Sequence, residues 1–278
     1  MKIKAHAKIN LTLNIIGKRE DGYHDVDMIM QTVGLHDIIT IEKILTSIEL
    51  SGTGTLSYDE TNLAYKAAKL FFDVTGIRSG ARIFVDKRIP MCAGMAGGSS
   101  DAAAVLKGLN ILYGKPLSQR VLSKISSRLG ADVPYCLMGS TARATGIGDI
   151  IAPIKPLESV PVVIVKPPVS VSTPKAYASL DYPSLVHPDA DTAQRAIEKG
   201  DRQALYNMME NSFEASIFKS FPIIKDIKSK MLSMGADASL MSGSGSAVFG
   251  IFENGEKARE AYNYFKEMYK DVFLTQTV

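Results

Sequence analysis

Long apolar runs are missing from this 278-residue sequence, cysteines number only two, and neither sign of charge is in marked excess. Each scarcity excludes something. The apolar stretch at 162–165 is far too short to cross a bilayer, which takes about 20 helical residues. Lys2 and Lys4 stand near the start, yet no continuous apolar segment follows them, so no secretory leader is expected. Cys92 and Cys136 lie far apart and form no CxxC pair. That argues against a zinc site or a disulfide framework, and for two small buried thiols in a reducing compartment. A net charge of +3 is too weak to gather polyanions in bulk, and no basic stripe runs along the chain. The expectation is a soluble, cytoplasmic protein with no nucleic-acid or membrane partner. Any anionic ligand has to be held by local geometry.

What is present is ordinary globular material, 46% apolar and 22% charged. A chain of this length usually divides its core, and Pro153, Pro156 and Pro161 mark a change of pattern. Two domains sharing a cleft are expected, over 1–153 and 154–278. At the start, Ile3, Ala5, Ala7, Ile9, Leu11, Leu13 and Ile15 alternate with Lys4, His6, Lys8, Asn10, Thr12 and Asn14. Period two predicts a half-buried strand with one polar face, on which Lys8 and Asn10 stand roughly 7 Å apart. Further strands are predicted at 25–33, 37–43 and 81–87. Helices are predicted after a cap at Thr61, after the glycine-serine stretch 94–100, and over 117–129. A hairpin fits 139–150. Beyond 153 come a strand at 162–166, helices near 189–199, 202–216, 223–234 and 256–269, strands bracketing 242–246, and a last strand at 272–275. Without a regular βαβ rhythm, the class is α+β.

The sharpest chemical signal is the run Pro90, Met91, Cys92, Ala93, Gly94, Met95, Ala96, Gly97, Gly98, Ser99, Ser100, Asp101, which leads straight into a helix. Glycines let backbone N–H groups close on a polyanion, and a helix start adds unpaired donors and a partial positive charge. Ser99 and Ser100 suit a helix cap or a phosphate. The run is neither a Walker A motif nor GxGxxG, so an ordinary glycine-rich turn stays open for this segment by itself. Phosphoryl transfer also needs a group to orient or deprotonate the attacking hydroxyl. Asp132, between a helix end and Pro134, is the candidate; a plain turn aspartate is the alternative. Lys8 is the natural cation, with a solvated surface lysine as its alternative. The glycines at 242–246 suit either an approach to substrate or a tight strand connection.

Five motifs occur in order: Ala7-Lys-Ile-Asn-Leu11, Asp21-Gly-Tyr-His24, Gly97-Gly-Ser-Ser-Asp-Ala-Ala103, Gly130-Ala-Asp-Val-Pro134 and Ser242-Gly-Ser-Gly-Ser246. Together they resemble the GHMP kinases, from the first strand to the last. The first two are the more specific, and they resemble the branch whose acceptor is a small polyol carrying a cytidine diphosphate group. The resemblance implies a two-domain fold, with an N-terminal ribosomal-protein-S5-domain-2-like half and a C-terminal ferredoxin-like half. It implies ATP and Mg²⁺ as cofactors, in non-mevalonate isoprenoid synthesis, and a monomer or weak homodimer.

By the same resemblance Asp132 is the base and Lys8 contacts the reacting hydroxyl. The residues Pro90 to Ser100 hold ATP, Asn62 and Lys87 border the adenine, and Ser100 lies near the metal. Asn10 and Thr173 line the acceptor site. Tyr23 and His24 hold the cytosine by stacking and hydrogen bonding, with Tyr177 on the other side of the base. A stacked face is worth about 1–3 kcal/mol. Two positions depart from the family pattern. His6 stands where proline is frequent and reads as a tolerated surface change. Ala96 stands where glycine is frequent, which suits nucleotide binding only if the backbone there avoids positive φ.

Overall fold

The computed structural model describes residues 1–157 and 159–278. Two compact units interleave along the chain. One gathers Met1–Ala7, His36–Ile89 and Ala96–Gly139, the other Lys8–Leu35, Pro90–Met95 and Ser140–Val278. Two paired strands, β1 (Lys2–Lys18) and β2 (His24–Ile44), contribute residues to both. The strands expected at 25–33 and 37–43 are one. Gly34 falls between those two ranges, and a Cβ there would meet Thr275 Oγ1 at 2.8 Å.

In the first unit, β4 (Gly80–Asp86) pairs antiparallel with β2 over 38–44 and parallel with β3 (Ile48–Gly52). Ile39, Ile41, Ile83 and Val85 from these strands share one buried cluster with α1 (Leu63–Thr75) and α2 (Gly97–Leu112). Truncating a side chain as deeply buried as Phe71 costs about 3–5 kcal/mol. Small residues let α2 approach closely: a Cβ on Gly108 would strike Ile41 Cδ1 at 2.5 Å. The cap of α1 is Asn62, not Thr61. Asn62 Oδ1 accepts from the Ala64 N–H at 2.9 Å, while Thr61 turns its hydroxyl to Asp59. Two short helices, α3 (Gln119–Ser126) and α4 (Val133–Met138), complete the unit.

In the second unit, β5 (Thr141–Thr145) pairs with β2 over 28–31 and forms the expected hairpin with β6 (Ile150–Pro153). After β7 (Pro161–Lys166) come four helices: α5 (Thr173–Ala178), α6 (Ala190–Lys199), α7 (Arg202–Asn207) and α8 (Glu214–Ser220). The helix expected over 202–216 is interrupted because Asn211 serves backbone instead. Its Nδ2 donates to the Met241 and Gly243 carbonyls, both at 2.8 Å, and its Oδ1 accepts from the Phe213 N–H at 3.0 Å. Then follow α9 (Pro222–Ser233), β8 (Ala238–Met241), β9 (Val248–Ile251), α10 (Gly255–Lys266) and β10 (Asp271–Gln276). The sheet order β10-β7-β9-β8, all antiparallel, with α9 and α10 as crossings, is the ferredoxin-like arrangement. The class is α+β.

Two expectations fail on burial. The polar face of β1 is not half-exposed: Lys8, Asn10 and Thr12 are all buried, because other chain segments cover that face too. Cys92 is exposed and Cys136 half-buried, since Cys92 sits on a positive-φ turn ahead of α2 rather than in a core.

Candidate active site

Chain direction and backbone chemistry set up an anion site at the start of α2. The helix begins at Gly97, so Ser99 and Ser100 lie inside it and do not cap it; the cap position is Ala96, with no side-chain hydrogen bond. The first-turn N–H groups therefore stay free of a protein cap. A helix of 16 residues adds a partial positive charge there. Ala96 is left-handed, at φ 56° and ψ 29°, so the departure from glycine falls where the backbone does need positive φ. Ser100 is buried and its hydroxyl donates to the His6 carbonyl at 2.6 Å, which leaves its oxygen lone pairs as the acceptors. His6 is half-buried, its ring 5.0 Å from that of His36.

Beneath this helix start lies a charged cluster that sequence reading missed. Lys87 Nζ donates to Asp37 Oδ2 at 2.5 Å and to Asp101 Oδ2 at 2.9 Å. Asp37 also accepts from the backbone N–H groups of Arg88 and Ile89 through Oδ1. Asp101 Oδ1 is buried with no hydrogen-bond partner. The ammonium sits 3.2 Å from where a Cβ on Gly97 would be, directly under the first helical residue. Burial pushes the Asp101 carboxyl up to about 7; Lys87 pulls against that, and Asp37 adds to it. Burial also opposes the Lys87 charge, and Asp101 and Asp37 together outweigh it, so its pKa is raised. Asp37 and Asp101 are 64 residues apart in sequence, so periodicity carries no sign of their meeting.

In the same unit, Asp132 is the residue ahead of α4, with Pro134 in the helix's first turn. Its carbonyl accepts from the Cys136 N–H at 3.0 Å. Its half-buried carboxylate makes no side-chain cap bond. Asn62 has both ends of its amide engaged, Oδ1 in the α1 cap and Nδ2 on the Ser57 carbonyl at 2.9 Å.

The second unit carries the remaining candidates. Lys8 Nζ donates to Asn10 Oδ1 at 2.6 Å, so the two residues predicted to share a strand face do so. Asn10 Nδ2 reaches Met28 Sδ at 3.2 Å. The loop at 242–246 closes over this point: a Cβ on Gly243 would lie 3.3 Å from Lys8 Nζ. The loop also clamps the first half of the glycine-serine run. Ser242 Oγ donates to the Gly94 carbonyl at 2.9 Å, and the N–H groups of Ser246 and Ala247 donate to the Cys92 and Ala93 carbonyls. Gly94, at φ 70°, has no room for a Cβ, which would stand 1.9 Å from the Ser242 carbonyl oxygen. The glycines of both loops thus serve backbone-to-backbone contact as well as turning.

Around His24 the chain gathers aromatic rings. His24 stacks on Tyr177, centroids 4.3 Å apart and planes 19° from parallel, and Tyr177 meets Phe213 edge-on at 4.9 Å. Burial, aided by Lys18, lowers the His24 pKa, so the ring is neutral at pH 7. Tyr182 reaches the same ring from a turn sequence reading passed over: its hydroxyl is 2.7 Å from His24 Nε2. Tyr23 stands apart, 60% exposed on a turn where its N–H donates to Asp21 Oδ1. Thr173, the first residue of α5, shares a 3.0 Å hydrogen bond with Ser244. Among the described residues no group of three or more His, Cys, Asp or Glu could hold a metal. No helix among them is long and apolar enough to cross a membrane.

Comparison with known proteins gives these features relatives. Residues 62–140 match the GHMP kinases N terminal domain, and residues 193–271 match GHMP kinases C terminal. A 4-diphosphocytidyl-2-C-methyl-D-erythritol kinase of Clostridium botulinum is 45% identical over 280 residues, with 100% of both chains covered. That of Alkaliphilus metalliredigens is 43% identical over 285 residues, covering 100% of this chain and 96% of its own. The crystal structure of a 4-(cytidine 5'-diphospho)-2C-methyl-D-erythritol kinase superposes with a TM-score of 0.87 at 33% identity, covering 100% of this chain and 99% of the other. A homoserine kinase from Cytophaga hutchinsonii superposes at 0.74 with 18% identity, covering 99% of this chain and 96% of its own, a likeness of fold alone.

Proposed function

The chain belongs to the GHMP kinases, among the 4-diphosphocytidyl-2-C-methyl-D-erythritol kinases, and on that premise we propose that it phosphorylates the 2-hydroxyl of that cytidyl polyol with ATP. The reaction is a step of non-mevalonate isoprenoid precursor synthesis. The observation that carries the reading is identity of 45% along the whole length of both chains.

ATP lies with its phosphates at the start of α2, cradled by the N–H groups of the run from Pro90 to Ser100. Asn62 and Lys87 border the adenine, with the Lys87 ammonium paired to Asp37 and Asp101. Asp132 takes the proton of the 2-hydroxyl. A carboxylate with no hydrogen bond to its own helix is free for that task. Lys8, held by Asn10, stabilises the alkoxide as it forms. The cytosine is held by Tyr23, His24 and Tyr177, with Thr173 lining the acceptor site. A neutral imidazole suits that role, since it reads a base edge by hydrogen bonding without presenting a charge.

Mg²⁺ fits this donor set as a phosphate-borne ion: Ser100 offers lone pairs, and such an ion commonly keeps waters and phosphate oxygens for most of its shell. It supplies neutralisation of the phosphate charge. In this reading 1–153 is the ATP-binding part and 154–278 the C-terminal part, supported by family matches that end at 140 and begin at 193. The enzyme works in the cytoplasm on a small molecule, as a monomer or weak homodimer.

An ADP-release assay over a panel of acceptors tests the proposal. The cytidyl polyol should raise ADP release at least tenfold above ATP alone, while homoserine, mevalonate and simple sugars should leave it at background. Equal stimulation by homoserine or mevalonate would remove the assigned acceptor.

A further inference from the structure

His24 opens β2 with its ring largely buried and stacked on Tyr177. Among the described residues, the Tyr182 hydroxyl is the one hydrogen-bond partner of that ring, at 2.7 Å from Nε2. The two rings are nearly coplanar in orientation, 13° apart with centroids 6.3 Å from each other. Tyr182 itself is 43% exposed, on a single helical turn with Pro183 and Ser184. Packing thus explains little of why an aromatic stands there, whereas its hydroxyl has a definite partner.

A neutral imidazole carries one N–H and one lone pair, on different nitrogens. A phenol donates far better than it accepts, so the Tyr182 hydroxyl favours the lone pair at Nε2 and places the N–H at Nδ1, where it matches the ring acceptor of cytosine and not the N–H of uracil. The nitrogen left over is the one a bound base can meet. Cytosine offers an exocyclic amine and a ring acceptor along one edge, while uracil offers a carbonyl and an N–H in the same places. A histidine free to change tautomer would accept either base; one held in a single tautomer discriminates. We propose that Tyr182 is a positioning residue for base recognition, whose hydroxyl fixes the tautomer and orientation of His24 and so selects cytosine over uracil.

The inference rests on the cytidyl acceptor proposed above, and the test separates the two. Steady-state kinetics compare wild type with Tyr182→Phe, using the cytidyl polyol and its uridine counterpart as acceptors. Losing one hydrogen bond of ordinary strength should raise KM for the cytidyl acceptor about two- to tenfold, with kcat and KM for ATP within about twofold of wild type. The preference over the uridine counterpart should fall by a similar factor. ¹⁵N spectra of the ligand-free protein at pH 7.5 should show one neutral His24 tautomer in wild type and an averaged pair in Tyr182→Phe. An unchanged KM, or averaged tautomers already in wild type, would overturn the proposal. A lowered KM would overturn it in the other direction, by showing that the hydroxyl competes with the base. If wild type uses neither cytidyl nor uridyl acceptor, the functional reading itself falls and this inference falls with it.

Discussion

Ala96 holds a left-handed backbone at the mouth of α2, a conformation that costs a residue with a Cβ about 1–2 kcal/mol. Ala96→Gly should therefore stabilise the fold by up to about 1 kcal/mol, after glycine's greater chain entropy is subtracted, and should tighten ATP binding. Urea denaturation and ATP titration check this; a loss of stability would mean that the strain is not there. At Asp132 the expectation concerns chemistry alone. Asp132→Ala should lower turnover about 10²–10⁴-fold at an unchanged fold, and turnover within threefold of wild type would remove it as the base.

Asp101 adds a pH signature. Its folded carboxyl titrates at about 7, above the 3.8 of an ordinary aspartate. Between those values the native state holds a proton that the unfolded chain has released. The contribution is thus complete below about pH 4 and is lost as pH rises toward about 7. Wild type should lose more stability than Asp101→Asn between pH 5 and pH 8, and parallel urea profiles would contradict this. Residue roles were unevenly legible. Lys8 and Asp132 stand out only through their motifs, since a lone charge carries no pattern. The meeting of Asp37, Lys87 and Asp101 is a tertiary event that no local rule encodes.

Elements were easier to read than residues, because the period of the apolar positions marks strand or helix even where the polar face is buried too, as on β1. The alternation along β1 and the spacing of apolar residues in α2 named both correctly. The errors have physical causes. The sequence pattern reads β2 as strands at 25–33 and 37–43, yet the strand runs unbroken through Gly34, which makes room for Thr275. The helix at 202–216 was run together because the backbone-binding role of Asn211 cannot be told from an exposed amide. The loop at 242–246 shows what such packing requires. Gly94→Ala would put a Cβ 1.9 Å from the Ser242 carbonyl oxygen at a positive φ. It should destabilise the protein by about 2–5 kcal/mol, the sum of overpacking and left-handed strain. KM for ATP should rise with it, and unfolding midpoints with ATP kinetics would show both. A variant as stable as wild type would mean that the two loops do not hold each other.

For the molecule as a whole, the α+β class follows from where strands and helices fall in the chain, whereas the ferredoxin-like order of the last sheet is expected only through the family resemblance. The interleaving of the two compact units follows from neither, because it depends on long strands contributing to both. A charge of +3 is too weak to gather ATP in bulk, and the proposed account rests on phosphate binding at the start of α2. Its most direct test is ³¹P NMR of the protein with ATP, Mg²⁺ and the cytidyl polyol. The account predicts one new phosphomonoester signal, unsplit because the 2-carbon carries no hydrogen, growing one-for-one with ADP. ADP and inorganic phosphate accumulating alike with and without the polyol, with no new ester, would contradict it.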